Sequence, residues 1–171
     1  MVETNTSALH ARPARRDDAT AITHIYNQGI EDRIGTFETT PRAVADIEVW
    51  FDHAPAFVVV EDSAGDIVGY AVAHPYSDRC CYQGIGEFSV YVLREARGRG
   101  VGRIAMAALV EASKAAGLWK LLSRVFPENR ASLNLMAWSG FKEIGVHEKH
   151  GKLDGVWRDC VIVEQVLPEN L

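Results

Sequence analysis

Glycines and arginines alternate in one short segment of this chain. The segment is Arg97-Gly98-Arg99-Gly100-Val101-Gly102, followed by Arg103, and it lies between an apolar strand-like run and an apolar helix-like run. Glycine lets the backbone turn tightly and approach a ligand closely, and the N–H groups at the start of a helix attract anions. The arginines add positive charge to the same place. The segment therefore predicts a binding loop for a pyrophosphate group.

Two nucleotide-binding motifs do not fit this segment. A dinucleotide fingerprint, G-x-G-x-x-G, would need its third glycine where Arg103 stands. A phosphate-binding P-loop would need Gly-Lys followed by Ser or Thr, which is absent here. The alternative to a binding loop is a glycine-rich turn with solvated arginines, and the flanking strand and helix weaken that alternative.

One carboxylate stands at the start of a strand-like run. Glu87 is followed by the alternating apolar residues Phe88, Val90 and Val92. A carboxylate at the edge of an apolar sheet can take a proton from a substrate, directly or through a water molecule. The alternative is a surface glutamate that only begins a strand.

Composition limits the classes of protein to which these residues can belong. The chain has 171 residues, 47% hydrophobic and 24% charged, and 18 basic against 23 acidic side chains give a net charge of −5. We expect a disordered tail over residues 1–7 and a single domain over 8–171, with a core that needs no metal or disulfide. The negative charge argues against a general nucleic-acid binder. No apolar run approaches the roughly 20 residues of a membrane span, and three cysteines, two of them adjacent, indicate reduced thiols in the cytoplasm.

The elements that must position these residues follow from hydrophobic periodicity. Helices are predicted to start at Asp17 and at Thr40-Pro41 and to span 101–116 and 128–139. Strands are predicted over 9–14, 56–61, 67–73, 87–93, 119–125, 141–148 and 157–166. Three consecutive strands before a βαβ unit predict a mixed sheet with helices on both faces rather than a doubly wound parallel sheet.

These motifs, at this spacing, resemble the GNAT N-acetyltransferase superfamily. R-x-x-G-x-G, at Arg97, Gly100 and Gly102, is similar to its acetyl-CoA pyrophosphate loop, and Asn129-x-x-Ser132-x-x-Leu135 with Gly140-Phe141 is similar to its next motif. Within that superfamily the chain resembles the phosphinothricin and methionine sulfoximine acetyltransferases from about residue 10 to 167. The matching stretches are Ile25-Tyr26-Asn27, Gly35-Thr36-Phe37-Glu38, Arg79-x-x-Tyr82, Glu87-x-Ser89-Val90-Tyr91-Val92 and Gly155-x-Trp157-x-Asp159.

The resemblance implies a fold, an activity and partners. The fold is of the α/β (α+β) class, a mixed, mostly antiparallel sheet of about seven strands with helices on both faces. The activity is direct transfer of acetyl from acetyl-CoA to the α-amine of a small amino-acid-like substrate, with Glu87 as general base. The resemblance also implies a homodimer and a role in antibiotic or herbicide resistance. With the charge, hydropathy and cysteines considered above, we expect a cytoplasmic enzyme without metal, nucleic-acid or membrane partners. The alternatives are a protein N-terminal or lysine acetyltransferase and a catalytically silent acyl-CoA-binding protein.

The resemblance also assigns residues to the site. Those implied to bind acetyl-CoA are Val90, Tyr91, Val92, Arg97, Gly98, Arg99, Gly100, Val101, Gly102, Arg103, Asn129 and Ser132. Those implied to bind the substrate are Phe37, Glu38, Arg79, Tyr82, Glu87 and Met136. Ser132 is either a second catalytic residue, protonating the leaving thiolate, or only a residue in the first turn of a helix. The backbone N–H of Val92 is the candidate donor to the developing oxyanion, and Tyr91 is another candidate acid.

The chain departs from these relatives at two places. Several relatives carry two arginines spaced R-x-R before the glutamate, whereas here Ser77 takes the first position and only Arg79 remains to hold a carboxylate. Met136 stands where these relatives commonly place a histidine. Both changes predict a less charged substrate side chain, of the methionine sulfone or sulfoximine kind rather than phosphinothricin. His147-Glu148-Lys149-His150 lacks the spacing of a helical metal motif, and we interpret it as a solvated hairpin end.

Overall fold

Seven strands and five helices form the part of the chain that the computed structural model describes, residues 9–171. The strands are β1 (His10–Pro13), β2 (Ala56–Glu61), β3 (Ile67–Pro75), β4 (Ile85–Val92), β5 (Lys120–Val125), β6 (Lys142–Leu153) and β7 (Val156–Val166). The helices are α1 (Ala19–Asp32), α2 (Val44–Glu48), α3 (Trp50–His53), α4 (Val101–Ala115) and α5 (Arg130–Trp138). The tail expected over residues 1–7 lies outside the described residues.

The strands form one sheet in the order β1-β2-β3-β4-β5-β7-β6. Only the β4–β5 pair is parallel, and the other neighbours are antiparallel. The predicted mixed, mostly antiparallel sheet of about seven strands is confirmed.

Both faces of the sheet are covered, as predicted. On β2, Val58 and Val60 pack into the core under α4 and α5, whereas Val59 between them packs into the core under α1 and α2. Successive side chains of a strand point to opposite faces, so a strand buried on both sides is apolar without alternation. The continuous apolar run of β2 therefore results from its position between two helical layers.

Several predicted element boundaries are wrong. β4 begins at Ile85, so Glu87 is its third residue and not its start. The first helix begins at Ala19 rather than at Asp17, and the Asp18 carboxylate accepts hydrogen bonds from the Arg12 guanidinium at 2.7 and 2.8 Å. The second helix begins at Val44 rather than at Thr40-Pro41. β6 runs on to Leu153, past the predicted strand end.

The longer β6 changes the place of the histidine-rich segment. His147 to His150 form an exposed bulge within the β6–β7 hairpin, where the register shifts between His147 and Gly151, rather than the hairpin end. The turn itself is at Asp154 and Gly155, both with positive φ. Within residues 9–171, no group of three or more His, Cys, Asp or Glu side chains is arranged to hold a metal ion.

The parallel β4–β5 ladder is short. It joins Ile85–Glu87 to Lys120–Leu122 only, although β4 continues to Val92 and β5 to Val125. Beyond Glu87 the edge of β4 that faces β5 is therefore open, while its other edge stays paired with β3. The site lies at this opening. No helix of the described chain is long and apolar enough to cross a membrane.

Candidate active site

A cavity of about 1010 Å³ lies at the opening between β4 and β5. Most of the predicted site residues contribute to its wall: Phe37, Glu38, Glu87, Val90, Tyr91, Val92, Arg97, Gly98, Gly100, Val101, Gly102, Arg103, Asn129, Ser132 and Met136. Three predicted site residues, Arg79, Tyr82 and Arg99, do not line it. The folded chain thus brings together residues that the sequence separates by about a hundred positions.

The glycine loop leads into α4. Gly98 and Gly100 have φ of 77° and 87°, a conformation that costs a side-chain-bearing residue about 1–2 kcal/mol. Gly100 is the N-cap of α4, and no side chain caps this helix start. The N–H groups at the start of α4 are consequently available to an anion in the cavity.

Two arginines of this loop have partners that sequence reasoning missed. The Arg97 guanidinium donates to the Asp32 carboxylate at 2.6 Å and to the Val92 carbonyl at 3.3 Å. Arg103 lies over the Trp138 ring, 4.8 Å from its centroid. Burial raises the pKa of Asp32, but hydrogen bonds from Arg94 and Arg97 outweigh this and lower it below its ordinary value. The ionised Asp32 therefore holds Arg97 beside the loop.

The open edge and the loop together suit a CoA-type ligand. The unpaired edge of Val90–Val92 can bond an extended amide-containing arm as an added strand would. The glycine loop and the start of α4 suit the pyrophosphate. A Cβ at Gly102 would lie 3.0 Å from Leu135 Cδ2, so glycine also lets α4 approach α5 closely beside the cavity.

Asn129 and Ser132 form the start of α5. The Asn129 side-chain oxygen accepts from the Ser132 N–H at 3.1 Å, and its Nδ2 donates to the Ile34 carbonyl at 3.1 Å. Asn129 therefore caps α5 and joins it to the loop that follows α1. Both residues line the cavity, and their predicted roles toward acetyl-CoA stay predictions.

The loop after α1 closes one side of the cavity through aromatic contacts. Phe37 packs edge-to-face on Phe126, with 4.8 Å between ring centroids. Tyr91 stacks on Tyr70 and donates its hydroxyl to the Gly35 carbonyl at 3.2 Å. Burial raises the pKa of Tyr91, so its phenol stays protonated at neutral pH. Tyr91 is both a cavity-lining residue and a core residue.

Met136 and Arg79 differ in their surroundings. Met136 is only 2% exposed and belongs to the core between α5 and the sheet, although it also reaches the cavity wall. Arg79 is exposed in the loop after β3, and its guanidinium lies 5.5 Å from the centroid of the Tyr82 ring. Their predicted contacts with the substrate stay predictions.

Glu87 lies at the last residue pair of the β4–β5 ladder. Its carboxylate forms an ion pair with Arg124 on β5, and 35% of the Glu87 side chain and 36% of the Arg124 side chain remain exposed. On the other side, His74 on β3 stands directly opposite Glu87. All three residues line the cavity.

Sequence reasoning missed Arg124 and His74. Both interrupt apolar strands, which is a weak signal of a polar site. Strand alternation alone could not place them beside Glu87, because that needs the pairing register of β3, β4 and β5.

His74 is mostly enclosed, and we expect its environment to make the stability of the fold sensitive to acid. Its ring packs edge-to-face on Trp50, 5.1 Å between centroids. Burial lowers the pKa of His74, and the Glu87 charge opposes that shift. In the unfolded chain histidine takes up its proton at about pH 6.5, so below that pH the unfolded state binds more protons than the folded state.

We expect His74→Gln to reduce the loss of stability between pH 7.5 and 5. The free energy of unfolding that neutral His74 contributes is fully present above the ordinary histidine pKa and falls as the pH drops toward the lowered folded value. Urea unfolding at both pH values measures this, with the exposed His53→Gln as control. An unchanged pH dependence in the His74 variant would contradict the expectation.

Comparison with known proteins agrees with this geometry. Residues 21–141 match the Acetyltransferase (GNAT) family. The L-methionine sulfoximine/L-methionine sulfone acetyltransferase of Pseudomonas paraeruginosa is 30% identical over 157 residues, which cover 90% of this chain and 91% of that protein.

Solved structures give the same result. A GNAT superfamily phosphinothricin acetyltransferase from Sinorhizobium meliloti in complex with AcCoA has a TM-score of 0.85 at 28% identity, covering 93% of this chain and 88% of that one. A ribosomal-protein-alanine N-acetyltransferase from Brucella melitensis has a TM-score of 0.86 at 29% identity, covering 92% and 99%.

These matches confirm the predicted fold, the predicted enzyme class and acetyl-CoA as co-substrate. The family match includes the glycine loop, β4 and β5 with Glu87 and Arg124, and α5. The chain belongs to the GNAT acetyltransferase family.

Proposed function

We propose that this enzyme acetylates the α-amine of a small amino-acid-like substrate of the phosphinothricin, methionine sulfoximine or methionine sulfone type. The observation that carries the proposal is the position of Glu87. Its carboxylate lies on the cavity wall at the point where β4 and β5 separate, beside the open edge of β4. The names of the relatives above support the substrate class.

Each part of the cavity wall has a task in this reaction. Acetyl-CoA supplies the acetyl group as a reactive thioester. Glu87 takes a proton from the substrate ammonium, directly or through a water molecule, which makes the amine a nucleophile. The Val92 N–H stabilises negative charge on the carbonyl oxygen, and the Ser132 hydroxyl is the candidate donor to the departing thiolate.

An exposed apolar edge supports the proposed homodimer. β6 is the outer strand of the sheet and is exposed along nearly its whole length. The exposed apolar side chains on β6 and at the adjoining start of β7 are Ile144, Val146, Val156 and Trp157. Such an edge favours pairing with a second chain, and sedimentation of the purified protein measures the mass directly.

The proposed compartment and physiological role rest on fewer observations than the proposed reaction does. The exposed thiols of Cys80 and Cys81 suit a reducing compartment, in keeping with the cytoplasm. Acetylation of inhibitory amino-acid analogues would give resistance to them.

A protein N-terminus is the second candidate substrate. The observation in its favour is the similarity to a ribosomal-protein-alanine N-acetyltransferase. The two candidates differ in one chemical feature, because a free amino acid carries a carboxylate on the same carbon as its amine and a peptide N-terminus does not.

A thiol-release screen with acetyl-CoA tests the proposed function. The acceptors are the free amino acids, their sulfone, sulfoximine and phosphinate analogues, and peptides with N-terminal alanine. We expect turnover with the small analogues and little with the peptides. Turnover with peptides alone would overturn the proposal in favour of the second candidate.

Ser77 and Met136 give an expectation about selectivity within the small substrates. Where several relatives carry two arginines, the loop here offers Arg79 alone, so an anionic group on the substrate side chain would have one partner fewer and would meet the charge of Asp78. The wild type is therefore expected to have a higher kcat/KM for methionine sulfoximine than for phosphinothricin, and Ser77→Arg to shift the ratio toward phosphinothricin. If the wild type already prefers phosphinothricin about tenfold or more, about 1.4 kcal/mol, these positions do not set specificity.

A further inference from the structure

The ion pair of Glu87 and Arg124 places a negative carboxylate beside a positive guanidinium on the wall of one cavity. The carboxylate is on β4 and the guanidinium on β5, and neither is fully buried. Among the described residues, Glu87 is the only hydrogen-bond partner of the Arg124 side chain. A guanidinium has five N–H donors, so most of those on Arg124 remain available to a molecule in the cavity.

We propose that Arg124 binds the α-carboxylate of the substrate while Glu87 receives its α-ammonium group. An α-amino acid carries these two opposite charges on one carbon, and the Glu87–Arg124 pair is the complementary arrangement in the protein. The proposal rests on the proposed function and deepens it, since it restricts the substrate to amines with a free carboxylate beside the amine.

Other arginines near the site are less suited to this task. Arg79, the candidate from the resemblance, does not line the cavity and lies over the Tyr82 ring. Arg42 lines the cavity, but its guanidinium is paired with Glu38 at 2.8 Å on the loop after α1. Arg97 is held by Asp32 beside the glycine loop. Arg124 alone among these four is paired with the proposed base.

The exchange of partners also affects the base. In the free enzyme the Arg124 guanidinium and the Glu87 carboxylate are paired with each other. When the substrate carboxylate takes the guanidinium, the Glu87 carboxylate is released to accept a hydrogen bond from the substrate ammonium group. The ammonium proton then passes to Glu87, and the neutral amine attacks the acetyl carbonyl and displaces the CoA thiolate. The substrate carboxylate therefore contributes to turnover as well as to binding.

The test compares methionine sulfone with its α-carboxamide, which keeps the amine and side chain but removes the negative charge. The wild type is expected to prefer the acid by about 10- to 100-fold in kcat/KM, the range for a hydrogen-bonded charge pair. Arg124→Gln should abolish the preference by lowering kcat/KM for the acid without lowering it for the amide. Arg124→Lys should keep part of it, because lysine retains the charge but not the fork of donors.

Arg158→Gln is the matched control. Arg158 lies on β7, pairs with Glu128 and does not line the cavity, so its loss should leave the preference unchanged. A wild type that acetylates acid and amide equally would overturn the inference while leaving the proposed function intact, and it would do so whether or not the variants fold. The inference would also be overturned if Arg124→Gln kept the preference for the acid over the amide. The same holds if a further variant, Arg79→Gln, lost that preference while Arg124→Gln kept it. Turnover with neither compound would count against the proposed function itself.

Discussion

Glu87→Gln is expected to lower kcat by about 10²–10⁴-fold while acetyl-CoA affinity is largely kept. Glutamine preserves the size of the side chain and removes its ability to accept a proton. The ammonium of the substrate is the dominant form at neutral pH, so without a base only the small neutral fraction of the amine can react. Steady-state turnover from pH 6 to 9, together with calorimetric titration of acetyl-CoA, separates the two effects.

The control for this variant is another ion-paired glutamate on a neighbouring strand. Glu164 on β7 pairs with Lys120 at 2.9 Å and does not line the cavity. Glu164→Gln should therefore remain near the wild-type rate. If Glu87→Gln stays within about twofold of the wild type across this pH range, the base is another group or the amine arrives already neutral.

The pH dependence of the Glu87→Gln deficit distinguishes a missing base from a structural defect. Raising the pH increases the neutral fraction of the amine, which partly replaces the missing base. The deficit of Glu87→Gln should therefore shrink toward pH 9, whereas a purely structural defect would give the same deficit at every pH. Any turnover by the wild type in the same assay excludes the alternative of a catalytically silent acyl-CoA-binding protein.

The elements of the fold were predictable because they depend on local pattern. The apolar run of β2, the amphipathic residues of α1 and the glycine at the end of α4 all mark their elements within a few residues. The glycine loop was predictable for the same reason, since its glycines need positive φ at Gly98 and Gly100.

The parts that were not predictable depend on contacts between distant segments. The first helix was predicted to start at Asp17 but begins at Ala19, after Asp18, whose carboxylate pairs with Arg12 on β1. The open edge of β4 follows from a ladder that stops at Glu87, and no residue type marks that position. Arg124 meets Glu87 only because β5 pairs with β4 in one register, which a single sequence does not reveal.

Gly100→Glu is expected to weaken acetyl-CoA binding by more than about 100-fold, close to elimination. Gly100 is the N-cap of α4 and lines the cavity, with φ of 87°. A glutamate there brings a carboxylate to the N–H groups that are predicted to bind the pyrophosphate. Its negative charge repels the ligand, and its bulk occupies the approach that the absent side chain leaves open.

Gly117→Glu separates this effect from backbone strain. Gly117 follows the other end of α4 and has φ of 81°. A Cβ at Gly117 or at Gly100 would have no heavy atom within 4 Å apart from those of adjacent residues. Glutamate therefore meets a similar conformational cost at both positions, and thermal unfolding should show comparable losses of stability. Calorimetry should find acetyl-CoA binding near the wild-type affinity in Gly117→Glu and none in Gly100→Glu. Tight binding by a folded Gly100→Glu would mean that the pyrophosphate lies elsewhere, because the two variants differ in which end of α4 they alter and not in the strain they impose.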